Sequence, residues 1–241
     1  MTATLELVGV TKIFGAGRVQ VEALSAVSLE VAGGELIAIM GPSGSGKTTL
    51  LSLAGGLDHP TSGQVLVEGK DLAGLSLADQ ARLRRRRIGY VFQQLNLIEG
   101  LTAAENTSLP LELDGVSKGP ARKAAIGALR LVAMDHLADR FPEELSGGEQ
   151  QRVAIARAAV GERTLLLADE PTGALDSVTG ETVLRLLRGH CDRGGSGILV
   201  THDARFAAWA DRVVFLRDGK VIDQTSPSAG PESLLPDSVR Q

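Results

Sequence analysis

The segment Glu35-Leu-Ile-Ala-Ile-Met40 runs directly into Gly41-Pro-Ser-Gly-Ser-Gly-Lys-Thr-Thr49. The first segment predicts a buried strand, and the second predicts a tight loop that opens a helix. Four positions of the loop fit the pattern of a phosphate-binding loop: Gly41, Gly46, Lys47 and Thr48. By chance these four would match on the order of once per hundred proteins, even before the strand and helix are required. A glycine-rich turn with a solvated lysine is therefore the weaker interpretation.

Each residue type in this loop has a physical reason to be there. Glycines let backbone N–H groups turn toward an anion, and the start of a helix adds a partial positive charge. Lys47 would bridge the β- and γ-phosphates, and Thr48 would offer a hydroxyl to Mg²⁺, which prefers oxygen ligands. The predicted nucleotide site is the whole loop: Gly41, Pro42, Ser43, Gly44, Ser45, Gly46, Lys47, Thr48 and Thr49.

Apolar runs on either side of the loop predict the rest of the fold. Two upstream segments, Leu5 to Val10 and Val27 to Val31, alternate like strands of an antiparallel flank, and Gln64 to Val67 after the loop has a similar pattern. Residues 101–160 change to helical spacing. Three downstream runs predict strands of a parallel sheet with helices on its faces: Thr164 to Glu170, Gly197 to His202 and Arg212 to Leu216. We expect an α/β fold of the P-loop NTPase type, with a mostly parallel core sheet, an antiparallel β flank and a helical insert.

The 241 residues suffice for one large domain with a sizeable core. We expect that domain over residues 1–222, with a helical subdomain at about 95–160. A tail rich in Ser, Pro and Gly, residues 223–241, is expected to be irregular.

Composition excludes several classes of function. A net charge of −4 argues against bulk nucleic-acid binding. The longest apolar runs, such as Leu36 to Met40, are far shorter than the ~20 residues of a membrane span. Glu6 interrupts the first apolar run, so no secretory signal is expected, and the single Cys191 agrees with a reducing compartment. We therefore expect a cytoplasmic location.

Two carboxylates, Asp169 and Glu170, end the buried run that starts at Leu165. Ligands of open α/β sheets bind at the carboxyl ends of strands, and successive strand residues point to opposite sides. Asp169 would therefore belong to the metal shell, while Glu170 would face a water in line with the γ-phosphate. The alternative is a surface acidic pair without a ligand.

A second helix start lies in Leu145-Ser-Gly-Gly-Glu-Gln150. Ser146 and Glu149 have the spacing of a capping box, which is a purely structural interpretation. A glycine-flanked helix start is also a site for an anion, and the economical arrangement has it close on the nucleotide of another chain. The residues themselves leave both interpretations open.

Taken in order, these motifs resemble the nucleotide-binding subunit of an ATP-binding cassette (ABC) transporter. The resemblance covers about residues 5–222, and it rests on these segments: Gly41 to Thr48, Gln93, Leu145 to Gln150, Leu165 to Glu170, Ala174-Leu175-Asp176 and His202. It implies that ATP and Mg²⁺ are the cofactors and that ATP is hydrolysed. Glu170, His202 and Gln93 are the implied catalytic residues, and the implied metal ligands are Thr48, Gln93 and Asp169.

The resemblance also implies nucleotide contacts outside the loop. Phe14 matches an aromatic that stacks on adenine, although a core aromatic is the alternative. Ser146, Gly147 and Gly148 match residues that grip the γ-phosphate held by a partner subunit. Asp176 matches a residue that communicates across the dimer. His202 would contact the γ-phosphate and Glu170, while Gln94 is an alternative to its neighbour Gln93.

Further segments look like the MacB, LolD and FtsE group, including Leu101-Thr-Ala-Ala-Glu-Asn106 and Ala168 to Ser177. Glu149 departs from that pattern, which commonly has Gln there.

The expected partners are a second copy of the chain and transmembrane permease subunits of the MacB, LolC or FtsX kind, with no nucleic acid. The expected location is peripheral on the inner face of the membrane. The alternatives are an FtsE-like regulatory ATPase and a soluble cassette ATPase acting on DNA or the ribosome. Arg84 to Arg87 is expected to be a solvated helix end near the permease.

Overall fold

The computed structural model describes residues 3–15, 19–171 and 177–225. Its strands are β1 Ala3–Phe14, β2 Val21–Ala32, β3 Leu36–Met40, β4 Ser62–Val67, β5 Lys70–Asp71, β6 Ile88–Val91, β7 Leu165–Asp169, β8 Ser196–Val200, β9 Arg212–Arg217 and β10 Lys220–Thr225. The helices are α1 Lys47–Ala54, α2 Leu77–Arg87, α3 Ala103–Leu113, α4 Lys118–Leu131, α5 Gly147–Ala159, α6 Ser177–Asp192 and α7 Ala204–Ala207.

A six-stranded sheet in the order β10-β9-β3-β8-β7-β6 forms the centre of the fold. The pairings of β3 with β8 and β9, and of β7 with β6 and β8, are parallel. Along β3, Leu36 and Ala38 join the apolar cluster on one face, while Ile37 and Ile39 join the cluster on the other. Both faces of the sheet are therefore buried, which explains why these strands are continuous apolar runs in the sequence.

The antiparallel flank is a second sheet, in the order β2-β1-β4-β5. Its residues Leu5 and Leu29 share one buried cluster with Leu50 of α1 and Ile39 of β3. Helix α1 is therefore packed in the core that joins the flank to the central sheet. This packing fixes the loop before α1, because both ends of that loop belong to buried elements.

The helical insert covers the other face of the central sheet. Residues Ala104 of α3, Leu129 of α4 and Ile155 of α5 lie in the same buried cluster as Leu166 of β7. The insert thus shares a core with the sheet, although its chain leaves the sheet after β6 and returns at β7.

Two expectations are corrected by these elements. Strand β10 continues to Thr225, three residues beyond the expected domain end at 222, and the remainder of the predicted tail lies outside the described residues. The arginines at the end of α2 are only in part a solvated helix end, because the Arg86 side chain is 56% exposed whereas Arg84 is half-buried. Arg84 Nη1 donates to the Gly56 carbonyl at 2.7 Å, and Arg86 Nε donates to Asp114 at 2.7 Å. They tie α2 to the end of α1 and to the insert.

In the part of the chain that the structure describes, no helix is long and apolar enough to cross a membrane.

Close packing between α5 and β6 gives the first testable prediction. A Cβ added at Gly89 would overlap the Ala158 carbonyl and approach Leu166 Cδ2 to 2.5 Å. Backbone of a buried helix cannot yield cheaply, so we expect Gly89→Ala to lower the free energy of unfolding by about 2 to 3 kcal/mol.

Urea denaturation measures this change, and Gly127→Ala is its matched control. Gly127 lies on the exposed side of α4, where an added Cβ meets nothing within 4 Å. Alanine there should stabilise the helix slightly. Equal stabilities of the two variants would contradict the packing argument.

Candidate functional site

The predicted site residues gather at one edge of the central sheet. The loop Gly41–Gly46 follows β3, Asp169 ends β7, and Gln93 and His202 follow β6 and β8. These strands are parallel, and β3, β8, β7 and β6 are consecutive neighbours. Their carboxyl ends therefore meet at the edge where open α/β sheets bind ligands.

The loop after β3 is held against the backbone of its neighbours. A Cβ at Gly41 would overlap the Leu216 carbonyl, and one at Gly46 would overlap the Ala23 carbonyl. Gly46 is also the N-cap of α1, with φ of 102°, a conformation that favours glycine. A residue with a side chain at either position would displace the loop from its contacts with these carbonyls.

The start of α1 is left open to an anion. Gly46 supplies no side-chain cap, and the first turn of α1 has no acidic residue. Lys47 Nζ donates to the carbonyls of Gly41 and Pro42, at 2.8 and 2.9 Å, which places its charge at the mouth of the loop. The helix start and the ammonium group together favour a polyphosphate at this point.

Not every loop side chain faces the ligand space. Ser45 is 2% exposed, and its backbone hydrogen-bonds with Pro42 and Gly219. Its side chain lies under the loop, so its predicted contact with nucleotide would come from the backbone. Pro42, Ser43, Gly44 and Thr48 are exposed, and Thr49 is half-buried.

Asp169 and Thr48 form the candidate magnesium site. Asp169 is 3% exposed, and burial is the main cause that raises the pKa of its carboxyl, opposed by the hydrogen bond from Thr48 and by the charge of Lys47. A cation beside this carboxylate would offset its burial. Among the described residues, no group of three His, Cys, Asp or Glu side chains could hold a metal. One carboxylate and one hydroxyl fit Mg²⁺, which takes its other ligands from phosphates and water.

Glu170 and His202 are in direct contact. His202 Nδ1 lies 2.9 Å from Glu170 Oε2, and this hydrogen bond raises the pKa of His202 above its usual value. Glu170 has φ of 48°, and its N–H donates to the Val200 carbonyl at 3.0 Å. A non-glycine residue in the left-handed region costs about 1 to 3 kcal/mol, and such strain is concentrated at functional sites. Here it turns the carboxylate away from the strand direction and toward the imidazole.

Gln93 is exposed, as is Gln94, in the segment that follows β6. Sequence reasoning missed the residue that holds this segment, Arg157 of α5. Its guanidinium donates to the carbonyls of Leu95 and Asn96, at 2.7 and 2.6 Å. The two partners are about sixty residues apart in the sequence, so no local pattern predicts the contact. It joins the segment that carries Gln93 to the insert.

Phe14 is 44% exposed at the end of β1, so the core alternative for this residue is wrong. Lys12 Nζ lies 5.0 Å from the centre of its ring, and the same ammonium pairs with Asp58 at 2.8 Å. The ring is therefore open to stacking on one side.

At the start of α5, the capping box is present. Ser146 Oγ accepts from the Glu149 N–H, and the Glu149 carboxylate accepts from Ser146 N–H and Oγ–H, each at 2.8 Å. Ser146 and Gly147 are exposed, and the hydrogen bonds of Ser146 stay within the first turn of α5. Asp176 lies outside the described residues.

Comparison with known proteins decides the family. The model of the family described as "ABC transporter" matches residues 24–173. The chain belongs to the ABC transporter family. It is an ATP-binding cassette, and the predictions of ATP hydrolysis, of the fold class and of the MacB/LolD/FtsE-like group are confirmed.

Individual relatives agree. The macrolide export ATP-binding/permease protein MacB of Salmonella typhimurium is 44% identical over 222 residues, which are 92% of this chain and 34% of MacB. The chain thus spans about a third of the length of its MacB relatives. An ABC transporter ATP-binding protein of Thermotoga maritima, itself uncharacterized, is 45% identical over 221 residues, which are 92% of this chain and 94% of that protein.

Solved structures match as well. The ATP-binding cassette MJ0796, in a dimeric post-hydrolysis state bound to ADP and Pi, has a TM-score of 0.88 and 41% identity. The match covers 94% of this chain and all of that one.

Proposed function

We propose that this cassette works as a dimer that encloses two MgATP between its copies and drives a membrane permease. In this proposal the phosphate loop of one chain holds the nucleotide, and the start of α5 of the other chain closes on its γ-phosphate. Hydrolysis removes the γ-phosphate bridge and lets the copies separate. The protein would act at the inner face of the membrane, bound to its permease.

One observation carries the proposal. Lys47, Asp169, Glu170 and His202 gather at one sheet edge, whereas Ser146 lies exposed at the start of α5 and, among the described residues, hydrogen-bonds only within the first turn of that helix. A glycine-flanked helix start on the surface is suited to an anion that arrives from outside the chain. The solved MJ0796 cassette is dimeric, which supports the proposal that this chain also forms a dimer.

The residues of this chain suggest how hydrolysis proceeds. Lys47 would fix the β- and γ-phosphates, and Glu170 would orient a water toward the γ-phosphorus and take its proton. His202 would hold Glu170 through the 2.9 Å hydrogen bond. Thr48 and Asp169 would hold Mg²⁺, which would supply charge neutralisation when bound. Gln93 would line the same edge and connect it to the insert, and Phe14 would stack on the base. The dimer role of Asp176 stays a prediction.

A cleft between α2, β6 and the insert is the proposed place for the permease. It has a volume of about 250 Å³ and a mostly apolar lining that includes Leu57, Tyr90, Phe92 and Leu113, although four arginines also line it, Arg84, Arg85, Arg157 and Arg163. Leu113 is 63% exposed, and Phe92 stacks on Tyr90 with ring centres 4.1 Å apart. Phe92 directly precedes Gln93, so a segment bound in the cleft would contact the neighbour of a proposed catalytic residue.

The cleft also contains an incompletely satisfied cation. Arg163 is 8% exposed, and among the described residues its Nε has no hydrogen-bond partner. Burial lowers the pKa of this guanidinium to about 10. A buried charge needs acceptors. A docked subunit that brings a carbonyl or carboxylate would provide one.

Co-purification tests the docking surface. The expected partner is a four-span permease with a large external domain, encoded beside this chain. We expect Leu113→Glu to lose at least tenfold in recovery of that permease from detergent, because a charge would enter the apolar cleft. ATP binding should be unchanged, since Leu113 ends helix α3 of the insert and is not part of the phosphate loop.

Leu131→Glu is the control, because Leu131 is 60% exposed at the end of α4 and is not in the cleft. Equal recovery of permease by the wild type and Leu113→Glu would contradict the proposed docking surface.

A further inference from the structure

The two helix starts that are proposed to contact phosphate, those of α1 and α5, differ in the charge of their first turn. Helix α1 begins at Gly46 with no side-chain cap and no acidic residue in its first turn. Helix α5 begins at Ser146 with a complete capping box and has Glu149 in its first turn. The positive end of α1 is therefore available to an anion, whereas that of α5 already has a carboxylate of its own.

Glu149 holds the groups that a phosphate would need. Its Oε2 accepts from the Ser146 N–H and from the Ser146 hydroxyl, both at 2.8 Å. These hydrogen bonds lower the pKa of Glu149, so the carboxylate is charged at neutral pH. Arg152 and His136 are the charged or titratable neighbours that favour the same state. The hydroxyl has a single proton, and it is directed at Glu149.

We propose that Glu149 is a positioning residue that weakens ATP-dependent closure of the dimer, by holding the Ser146 hydroxyl and by repelling the incoming γ-phosphate. This inference rests on the proposed dimer. According to this inference, the Glu149 side chain determines how strongly the start of α5 binds the nucleotide held by the partner copy.

Geometry sets the size of the effect. A phosphate oxygen that accepts from Ser146 Oγ at ~2.7 Å would lie within about 5.5 Å of Glu149 Oε2. Two negative charges at this distance repel each other noticeably even in a solvated site. The Ser146 proton must also turn from the carboxylate to the phosphate. Each dimer would contain two such contacts, so the effect of removing the charge multiplies.

The test compares glutamine variants in a Glu170→Gln background, where ATP hydrolysis is expected to be slow. The dimer dissociation constant is measured with saturating MgATP by sedimentation velocity. We expect Glu149→Gln to lower this constant about tenfold or more. Glutamine also forms a capping box, so the helix start is retained, and an unchanged melting temperature without ATP checks this.

The chain provides a matched control in Glu105→Gln. Glu105 closes the same kind of box on α3, where Thr102 N–H and Oγ–H donate to it at 2.9 and 2.8 Å. Glu105→Gln changes the net charge and the capping box in the same way as Glu149→Gln, but at a helix start that is not proposed to contact the nucleotide. It should leave the dimer constant within threefold.

Four outcomes would overturn the inference. A constant that changes less than threefold with Glu149→Gln overturns it, as does a weaker dimer. An equal gain from Glu105→Gln shows a general charge effect instead. If the parent and both variants stay monomeric with MgATP, the proposed dimer fails, and the inference fails with it. If the parent dimerises and Glu149→Gln does not change it, the inference alone fails.

Discussion

Replacing Glu170 with Gln is expected to lower the rate of ATP hydrolysis at least about a thousandfold. The amide has the shape of the carboxylate and can still meet His202, but it cannot take a proton from the attacking water. The unbroken γ-phosphate should then hold the copies together, so the variant should form a dimer with MgATP and a monomer with ADP. Phosphate release and light scattering after gel filtration measure the two effects.

A neighbouring control separates this role from general loss of charge. Glu162→Gln changes a carboxylate that lies near the start of β7, away from the carboxyl edge. Its ATPase rate should stay within twofold of the wild type. Glu170→Gln with a rate within tenfold of the wild type would remove Glu170 from its proposed role. A monomer at every protein concentration with MgATP would count against the enclosed nucleotide.

Lys47→Ala is expected to weaken ATP binding about a hundredfold. The ammonium group is the cation at the mouth of the loop, and removal of a charged hydrogen-bond partner of phosphate costs about 2 to 5 kcal/mol. The substitution also deletes the hydrogen bonds to the Gly41 and Pro42 carbonyls, which help to shape the loop. Calorimetric titration with ATP measures the loss.

The control is Lys70→Ala, since Lys70 is an exposed lysine on β5 of the flank. Its ATP affinity should equal that of the wild type. A melting temperature of Lys47→Ala close to that of the wild type, without nucleotide, would show that the fold survives. Affinity within threefold of the wild type would exclude the proposed contact with phosphate.

How far the sequence predicts the structure depends on the range of each interaction. The loop from Gly41 to Thr48 and the strand before it are encoded locally, in glycine spacing and in a continuous apolar run, and both could be predicted. Strand β1 was harder: the predicted run ends at Val10, whereas the strand reaches Phe14 through register shifts against β2. A bulge interrupts the alternation on which such a prediction depends.

Contacts between distant segments were the least predictable. The resemblance implied that His202 meets Glu170, but the residues alone do not state that β7 and β8 are neighbours. Arg86 pairs with Asp114, which is 28 residues away in the sequence, and no periodic pattern predicts this pairing. Arg163 is a further case, because a buried arginine without an acceptor on its Nε has no signature in the sequence. The sequence therefore predicts a solvated helix end at Arg84 to Arg87, where the fold also uses Arg84 and Arg86 to connect neighbouring segments.

The insert between β6 and β7 gives the molecule a modular construction. These strands are direct neighbours in the sheet, with Val91 opposite Ala168, so residues 92–164 join two adjacent positions at one side of it. Exchange of this segment for that of a homologue would leave the strand order, the phosphate loop, Asp169, Glu170 and His202 unchanged. The same exchange would replace Gln93 and the helix start at Ser146. The residues that would hold a nucleotide in one copy and the helix start that would close on the nucleotide of the other copy are therefore encoded in separate segments of the chain.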